Sequence, residues 1–152
     1  MSGIKISALP SASAITGAVL LPVVQSGITV QATVTELFTN PTVTGYREAT
    51  TNIGTVTTSY QLNISASTLL IATLTASQAC VFAMPLSSLA GQSFTLLLNQ
   101  ASGGSGTATF TSVKWSSVGA PTITATASKR DILCFIYDGT AWYGNYSQGY
   151  TP

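Results

Sequence analysis

The stretch Ser93-Phe-Thr-Leu-Leu-Leu-Asn99 places Phe94, Leu96 and Leu98 at every second position and polar Thr95 between them. Successive side chains of a β-strand point to opposite faces of the sheet, so a period of two is typical of a half-buried strand. The stretch therefore predicts a strand with one face on the core and one face that presents hydroxyl and amide groups.

The same alternation recurs along residues 45–152. It predicts eight strands, at residues 56–64, 69–75, 79–84, 93–99, 107–115, 122–126, 132–137 and 141–147. Residues 132–137 are apolar on both faces, which indicates a central strand, and Asp138-Gly139 after them is typical of a hairpin turn. Many short strands separated by turns favour a sandwich. We therefore predict an all-β fold with a jelly-roll-like β-sandwich over residues 45–152.

Residues 1–44 consist of short apolar runs interrupted by proline and glycine. Residues 20–25 and 28–34 are predicted to pair as strands around Ser26-Gly27, and residues 35–38 to form a helical turn. This segment has too little apolar surface for a core of its own, so we interpret it as an extended arm that docks on another body. The candidate docking residues are its apolar side chains and prolines: Ile4, Ile6, Leu9, Pro10, Leu21, Pro22, Val23 and Val24.

Charged residues make up only 6% of the 152-residue chain, and histidine is absent. The commonest general base of enzymes is therefore missing. Asp131 and Asp138 have structural explanations, ion pairing beside Arg130 and turn capping. Along one strand they would lie about 20 Å apart, too far to flank a sugar as paired catalytic carboxylates. We predict that the protein is not an enzyme, and that Arg130 and Asp131 are suited to ion pairing between chains.

The number of basic residues and the length of the apolar runs limit which partners the chain can have. Five scattered lysines and arginines with a net charge of +1 cannot neutralise many phosphates, so no nucleic-acid partner is expected. The apolar run at residues 18–24 is far shorter than the roughly 18 residues of a membrane helix, so we expect no membrane insertion.

The two cysteines, Cys80 and Cys134, lie in apolar, strand-like runs. Two alternatives are open for them, free thiols or one disulfide. Without histidine or a Cys-X-X-Cys pair the chain lacks the patterns of zinc sites, and we expect no metal and no other cofactor.

The aromatic side chains concentrate in the C-terminal third. They can pack in the core, contact another chain or stack on sugar rings, and Tyr and Trp suit interfaces because they combine a large area with a polar tip. The hydrophobic content of 45% favours a homo-oligomer that buries apolar surface between copies. The candidate residues for an interface or a glycan contact are Trp115, Trp142, Tyr143, Tyr146 and Tyr150.

A resemblance to a known family is carried by both ends of the chain. Residues 4–17, 21–27 and 33–37 resemble the N-terminal segment of tailed-bacteriophage tail-fibre and related virion proteins, which attaches those proteins to the particle. Residues 94–100, 109–115, 120–125 and 138–144 are similar to C-terminal β-modules on fibres of phages that infect cyanobacteria and other aquatic bacteria.

This resemblance implies a virion structural protein, either a short tail fibre or a fibre-like baseplate component. Residues 1–44 would attach it to other virion proteins of the tail, baseplate or capsid, and residues 45–152 would form a trimer. A capsid decoration protein that stabilises the head is the alternative. Recognition of host surface polysaccharide by the C-terminal β-domain is compatible with the first of these roles.

Overall fold

The computed structural model of the chain describes residues 19–39, 44–86 and 88–152. The chain divides into two compact units, Met1–Tyr46 and Arg47–Pro152, named here the N-terminal unit and the β-domain. Strands make up most of the regular structure in the described residues, and the helix found there has only five residues. The protein is therefore all-β, as the sequence predicts.

The N-terminal unit contains an antiparallel hairpin and a short helix. The strands are β1 (Leu20–Gln25) and β2 (Ile28–Thr33), and the helix α1 (Val34–Phe38) follows directly. Ser26 and Gly27 link the strands with φ values of 52° and 78°, as a two-residue hairpin turn with left-handed backbone requires. The hairpin and the helical turn predicted from the sequence are both confirmed.

The β-domain contains the remaining nine strands among the described residues. They are β3 (Thr50–Val56), β4 (Ser59–Gln61), β5 (Leu69–Leu74), β6 (Ala79–Ala83), β7 (Ser93–Asn99), β8 (Thr107–Thr111), β9 (Val113–Lys114), β10 (Arg130–Tyr137) and β11 (Trp142–Tyr150). The strand predicted at residues 122–126 is wrong. Thr124 donates its backbone N–H and its hydroxyl to the Asp131 carboxylate at 2.8 and 2.7 Å, so this segment does not join a ladder.

Two sheets build the β-domain. One has six strands in the order β3-β5-β7-β10-β11-β9, and the other has three in the order β4-β6-β8. From β3 to β8 the strands alternate between the sheets, so the chain winds through three coils and neighbouring coils pair in parallel. The predicted jelly roll is not confirmed, because a jelly roll pairs antiparallel strands. The observed winding is typical of a short β-solenoid.

Inward side chains of successive coils stack on one another in register. Leu70 pairs with Leu96 in the six-stranded sheet, and both are fully buried. In the three-stranded sheet the Phe82 ring stacks on Phe110 with 5.4 Å between centroids, and Tyr60 packs edge-on against Phe82 at 6.4 Å. These rows join one core cluster between the sheets. Burial of each large side chain contributes about 1.5–3 kcal/mol.

An antiparallel hairpin of β10 and β11 follows the coils. Strand β10 lies between β7 and β11, which confirms that it is a central strand. Asp138 Oδ1 accepts the backbone N–H groups of Thr140 at 2.7 Å and Ala141 at 2.8 Å, and Gly139 has a φ of 98°. The hairpin turn predicted at Asp138-Gly139 is thereby confirmed.

Asp131 on β10 points inward and is only 1% exposed. Besides the two bonds from Thr124, its carboxylate accepts the Gly149 N–H at 2.9 Å and the Gln148 side-chain amide at 3.3 Å. The expected pairing between chains is therefore wrong for Asp131, because this carboxylate is satisfied inside its own chain. Arg130 donates its Nε to Asn99 Oδ1 at 2.6 Å.

The substitution Asp131→Asn should destabilise the β-domain by about 1.5–3 kcal/mol, because an amide nitrogen would replace one acceptor and face buried donors. Asp138→Asn is the matched control. Oδ1 in its exposed turn accepts both backbone N–H groups, and asparagine keeps an oxygen there, so a much smaller change than in Asp131→Asn is expected. Urea unfolding followed by circular dichroism measures both. Equal losses in the two variants would contradict the role assigned to Asp131.

Candidate interaction surfaces

The described part of the N-terminal unit contains no buried residue. Leu21 and Val23 lie on one face of the hairpin and are half-buried, opposite Ala32 and Val30. Leu20, at 54% exposed, lies on the other face. Both faces of this two-stranded sheet thus carry apolar side chains, and the face with Leu20 is the more exposed of the two. Such a hairpin is marginally stable in water unless further structure packs on it.

Four of the candidate docking residues can be placed on this hairpin. Leu21 and Val23 form one face, whereas Pro22 and Val24 belong to the opposite face, where Val24 is 74% exposed. The apolar surface continues on α1, where Phe38 is 72% exposed. The remaining candidates lie outside the described residues: Ile4, Ile6, Leu9 and Pro10.

A capping box fixes the direction in which the chain leaves the hairpin. The Glu36 N–H donates to the Thr33 hydroxyl at 3.1 Å, and the Glu36 carboxylate accepts the Thr33 N–H at 2.7 Å and its hydroxyl at 2.9 Å. The backbone bond first, and the hydroxyl second, hold the pKa of Glu36 below its usual 4.5. The box satisfies donors that a helix start would otherwise leave unpaired.

The second surface is the side of the six-stranded sheet that points away from the core, named here the outer face. The pairing register arranges it in cross-strand rows. One row is Ile71, Leu97, Ile132 and Ser147, which are paired in turn across β5, β7, β10 and β11. On the four middle strands its side chains are Leu69, Ile71, Thr73, Ser93, Thr95, Leu97, Asn99, Arg130, Ile132, Cys134, Ile136, Tyr143, Asn145, Ser147 and Tyr150.

The outer face is more apolar than the solvent-facing side of a sheet usually is. Ile136 is 54% exposed and Tyr143 is 42% exposed, and the two pair directly across β10 and β11. Half-buried Leu97 and Ile132 pair across β7 and β10. Adjacent apolar residues on one open face are typical of interaction sites, whereas isolated ones are not.

The two cysteines are free thiols that lie on different sheets, one facing the core and the other facing away from it. Cys80 on β6 is buried, and burial raises the pKa of its thiol. Cys134 on β10 is exposed on the outer face, 3.8 Å from the Thr95 hydroxyl. The alternative of a disulfide is therefore not realised in this structure.

The aromatic candidates fall into two groups. Trp142 is 4% exposed and Tyr146 is half-buried, and both pack with the core, so this pair offers little surface to a glycan. Trp115 lies edge-on to Tyr146 with 5.9 Å between centroids. Tyr143 and Tyr150 are exposed, and the Lys114 ammonium lies 6.0 Å from the centre of the Tyr143 ring. Tyr143 and Tyr150 are thus the exposed members of the set, Trp115 and Tyr146 are half-buried, and Trp142 is buried.

The described residues hold no group of three or more metal-ligating side chains. A cavity of about 720 Å³ lies beside the loop after β6, and its described lining, which includes Leu62, Ile64 and Leu89, contains no titratable group. No helix in the described ranges has the length and hydrophobicity that would let it cross a membrane. The described surfaces therefore offer mainly apolar and hydroxyl side chains to a partner.

Comparisons with known proteins add no relative: no family model, no curated protein and no solved structure matches the chain.

The capping box predicts a pH dependence of helix α1. A carboxylate whose pKa is lowered on folding stabilises the fold above its unfolded pKa, so this contribution is lost as pH falls below 4.5 and through the lower folded value. The Cα chemical shifts of residues 34–38 should lose their helical character in that range. Glu36→Gln should remove this titration, because glutamine keeps an acceptor oxygen without a charge.

Glu48→Gln, in the β-domain, is the control and should leave the transition of α1 intact. If Glu36→Gln shows the same acid transition as the wild-type chain, the capping box does not control the helix.

Proposed function

We propose that this chain is a structural protein of a tailed-bacteriophage particle, a short tail fibre or fibre-like baseplate component, attached through its N-terminal unit. The observation that carries the proposal is the hairpin of β1 and β2, which carries apolar side chains on both faces and whose described side chains are all half-buried or exposed. The same residues carry the resemblance to the attachment segment of phage tail-fibre proteins. A partner of the arm would be another virion protein.

Physical reasons support docking of this arm on another protein. A two-stranded hairpin and a helix of five residues are each marginal in water. Three of the exposed residues, Val24, Ile28 and Phe38, are between 66% and 74% exposed. Removing such side chains from water contributes about 25 cal/mol per Å² of apolar area. The arm would therefore gain both order and free energy on a complementary surface.

The β-domain would serve as a rigid body carried by the arm. In place of the predicted jelly roll, we propose a short β-solenoid closed by the β10–β11 hairpin. Its sparse charges and its open outer face favour a homo-oligomer, for which three copies remain the prediction from the resemblance. A role in binding rather than catalysis agrees with the absence of histidine from the sequence.

The other roles have less support. Capsid decoration would use the same arm, and no contact of the described residues favours it over a tail location. Recognition of a host polysaccharide by the aromatic residues would depend on Tyr143 and Tyr150, since Trp142 is enclosed by the core.

Deletion of residues 1–46 should leave a folded β-domain that no longer enters phage particles, because the proposed attachment surface is removed. Val24→Asp should lower incorporation at least about tenfold if that side chain is desolvated on docking, since about 1.4 kcal/mol corresponds to tenfold in binding. Mass spectrometry of purified particles made with each variant measures incorporation. Circular dichroism checks that the variants fold.

Val118→Asp is the matched control, because Val118 is 77% exposed but belongs to the β-domain. Normal incorporation of the deletion variant would overturn the attachment role. A copy number in wild-type particles equal to that of the capsid subunit would instead place the protein on the head.

A further inference from the structure

We propose that the outer face of the six-stranded sheet packs against a second copy of this chain. The inference rests on the proposed function only in the expectation of a homo-oligomer. A face that meets its own copy closes as a two-fold pair, so this contact builds dimers, and the three copies implied by the resemblance would need a different surface. The inference does not depend on the arm or on where the assembly is located.

The pattern of β10 first distinguishes this face from an ordinary solvent-facing one. Its inward residues Leu133 and Phe135 are buried in the core, yet its outward residues Ile132 and Ile136 are apolar as well. A strand that is apolar on both sides is expected inside a protein with layers above and below. In the described chain the second layer is missing, because Ile136 remains 54% exposed.

The scarcity of charge favours a copy of the same chain as the occupant. Arg130 at the start of β10 and Lys114 beside Tyr143 lie on the outer face, and Glu48 lines a pocket with Thr95 and Cys134. The row from Ile71 to Ser147 is uncharged and can meet its own copy without placing like charges together. An apolar centre with a polar rim is also the usual anatomy of homodimer interfaces.

The size of the face is sufficient for a stable contact. The whole sheet, with six strands of two to nine residues at about 4.8 Å spacing and roughly 3.3 Å per residue, gives a face of roughly 600 Å² per copy. Two copies that bury this whole face, Arg130 and Lys114 included, would cover about 1,200 Å² in total, which reaches the lower end of specific protein interfaces. Two sheets that pack in this way stand about 10 Å apart with interdigitated side chains, as in a β-sandwich.

Cys134 provides a native reporter at the centre of the outer face. It pairs with Thr95 on one side and Asn145 on the other, and its thiol is exposed in the single chain. A second copy on the face would cover it. Cys80 is an internal reference, since it is buried in the core and should stay unreactive as long as the domain is folded.

The first experiment measures the size of the full chain by sedimentation velocity. The wild-type chain should sediment as a dimer or larger oligomer, and Ile136→Asp should sediment as a monomer, because a carboxylate would be desolvated at the interface. Val81→Asp is the matched control. Val81 lies on the central strand of the other sheet, points outward and is 40% exposed, so this variant should behave as the wild type.

The second experiment measures alkylation of each cysteine by iodoacetamide under native conditions, read by peptide mass spectrometry. At a protein concentration about tenfold above the dissociation constant, Cys134 should be labelled several-fold more slowly in the wild type than in Ile136→Asp. Cys80 should stay unlabelled in both chains.

A monomeric wild-type chain overturns the proposal. So does an oligomer in which Ile136→Asp changes neither the size nor the labelling of Cys134, although that result would leave a homo-oligomer in place through another surface. Loss of oligomerisation in Val81→Asp equal to that in Ile136→Asp would also contradict the assigned face. None of these outcomes depends on incorporation into particles, so failure here is distinguishable from failure of the attachment role.

Discussion

Stacking of inward-facing rows across parallel coils is the constraint on which the β-domain depends. Leu70 on Leu96 and Phe82 on Phe110 repeat the same contact from one coil to the next. This in-register stacking fixes which residues point inward, and it therefore also fixes which residues point outward. The outer face, with Leu97 beside Ile132, is a direct consequence of the register that builds the core.

The scarcity of charge has a consistent physical meaning in both units. Burying an unpaired charge is costly, whereas a threonine hydroxyl brings only one polar group to satisfy. The buried carboxylate of Asp131 illustrates the cost, because it needs four donors from Thr124, Gln148 and Gly149. The apolar and hydroxyl side chains that make up most of the arm and of the outer face can be desolvated without such networks. A low-charge chain of this kind is suited to assembly.

The sequence predicted which side chains of each strand point inward better than it predicted which strands pair with each other. Alternation identified Ser93–Asn99 and the apolar strand before Asp138-Gly139, but a period of two carries no information on parallel or antiparallel pairing. The coils differ in length, as the paired positions Thr50, Leu69 and Thr95 show, so no repeat marked the solenoid. Strand β3 was missed because Gly54 sits at a bulge that interrupts its alternation. The arm hairpin was predictable because its turn and both strands lie within one short stretch of sequence. The open outer face was not predictable, because its exposure depends on whether another layer of structure covers the sheet.

Amide hydrogen exchange of the full chain, free in solution and then within the assembled particle, tests the account most directly. In the free chain, β1 and β2 should exchange close to the rate of an unprotected backbone while β7 and β10 stay protected, because the buried residues found in the described ranges all belong to the β-domain. In the particle, β1 and β2 should become protected as well. Equal protection of the hairpin in the free chain and in the particle would contradict the claim that it is an arm completed by its partner.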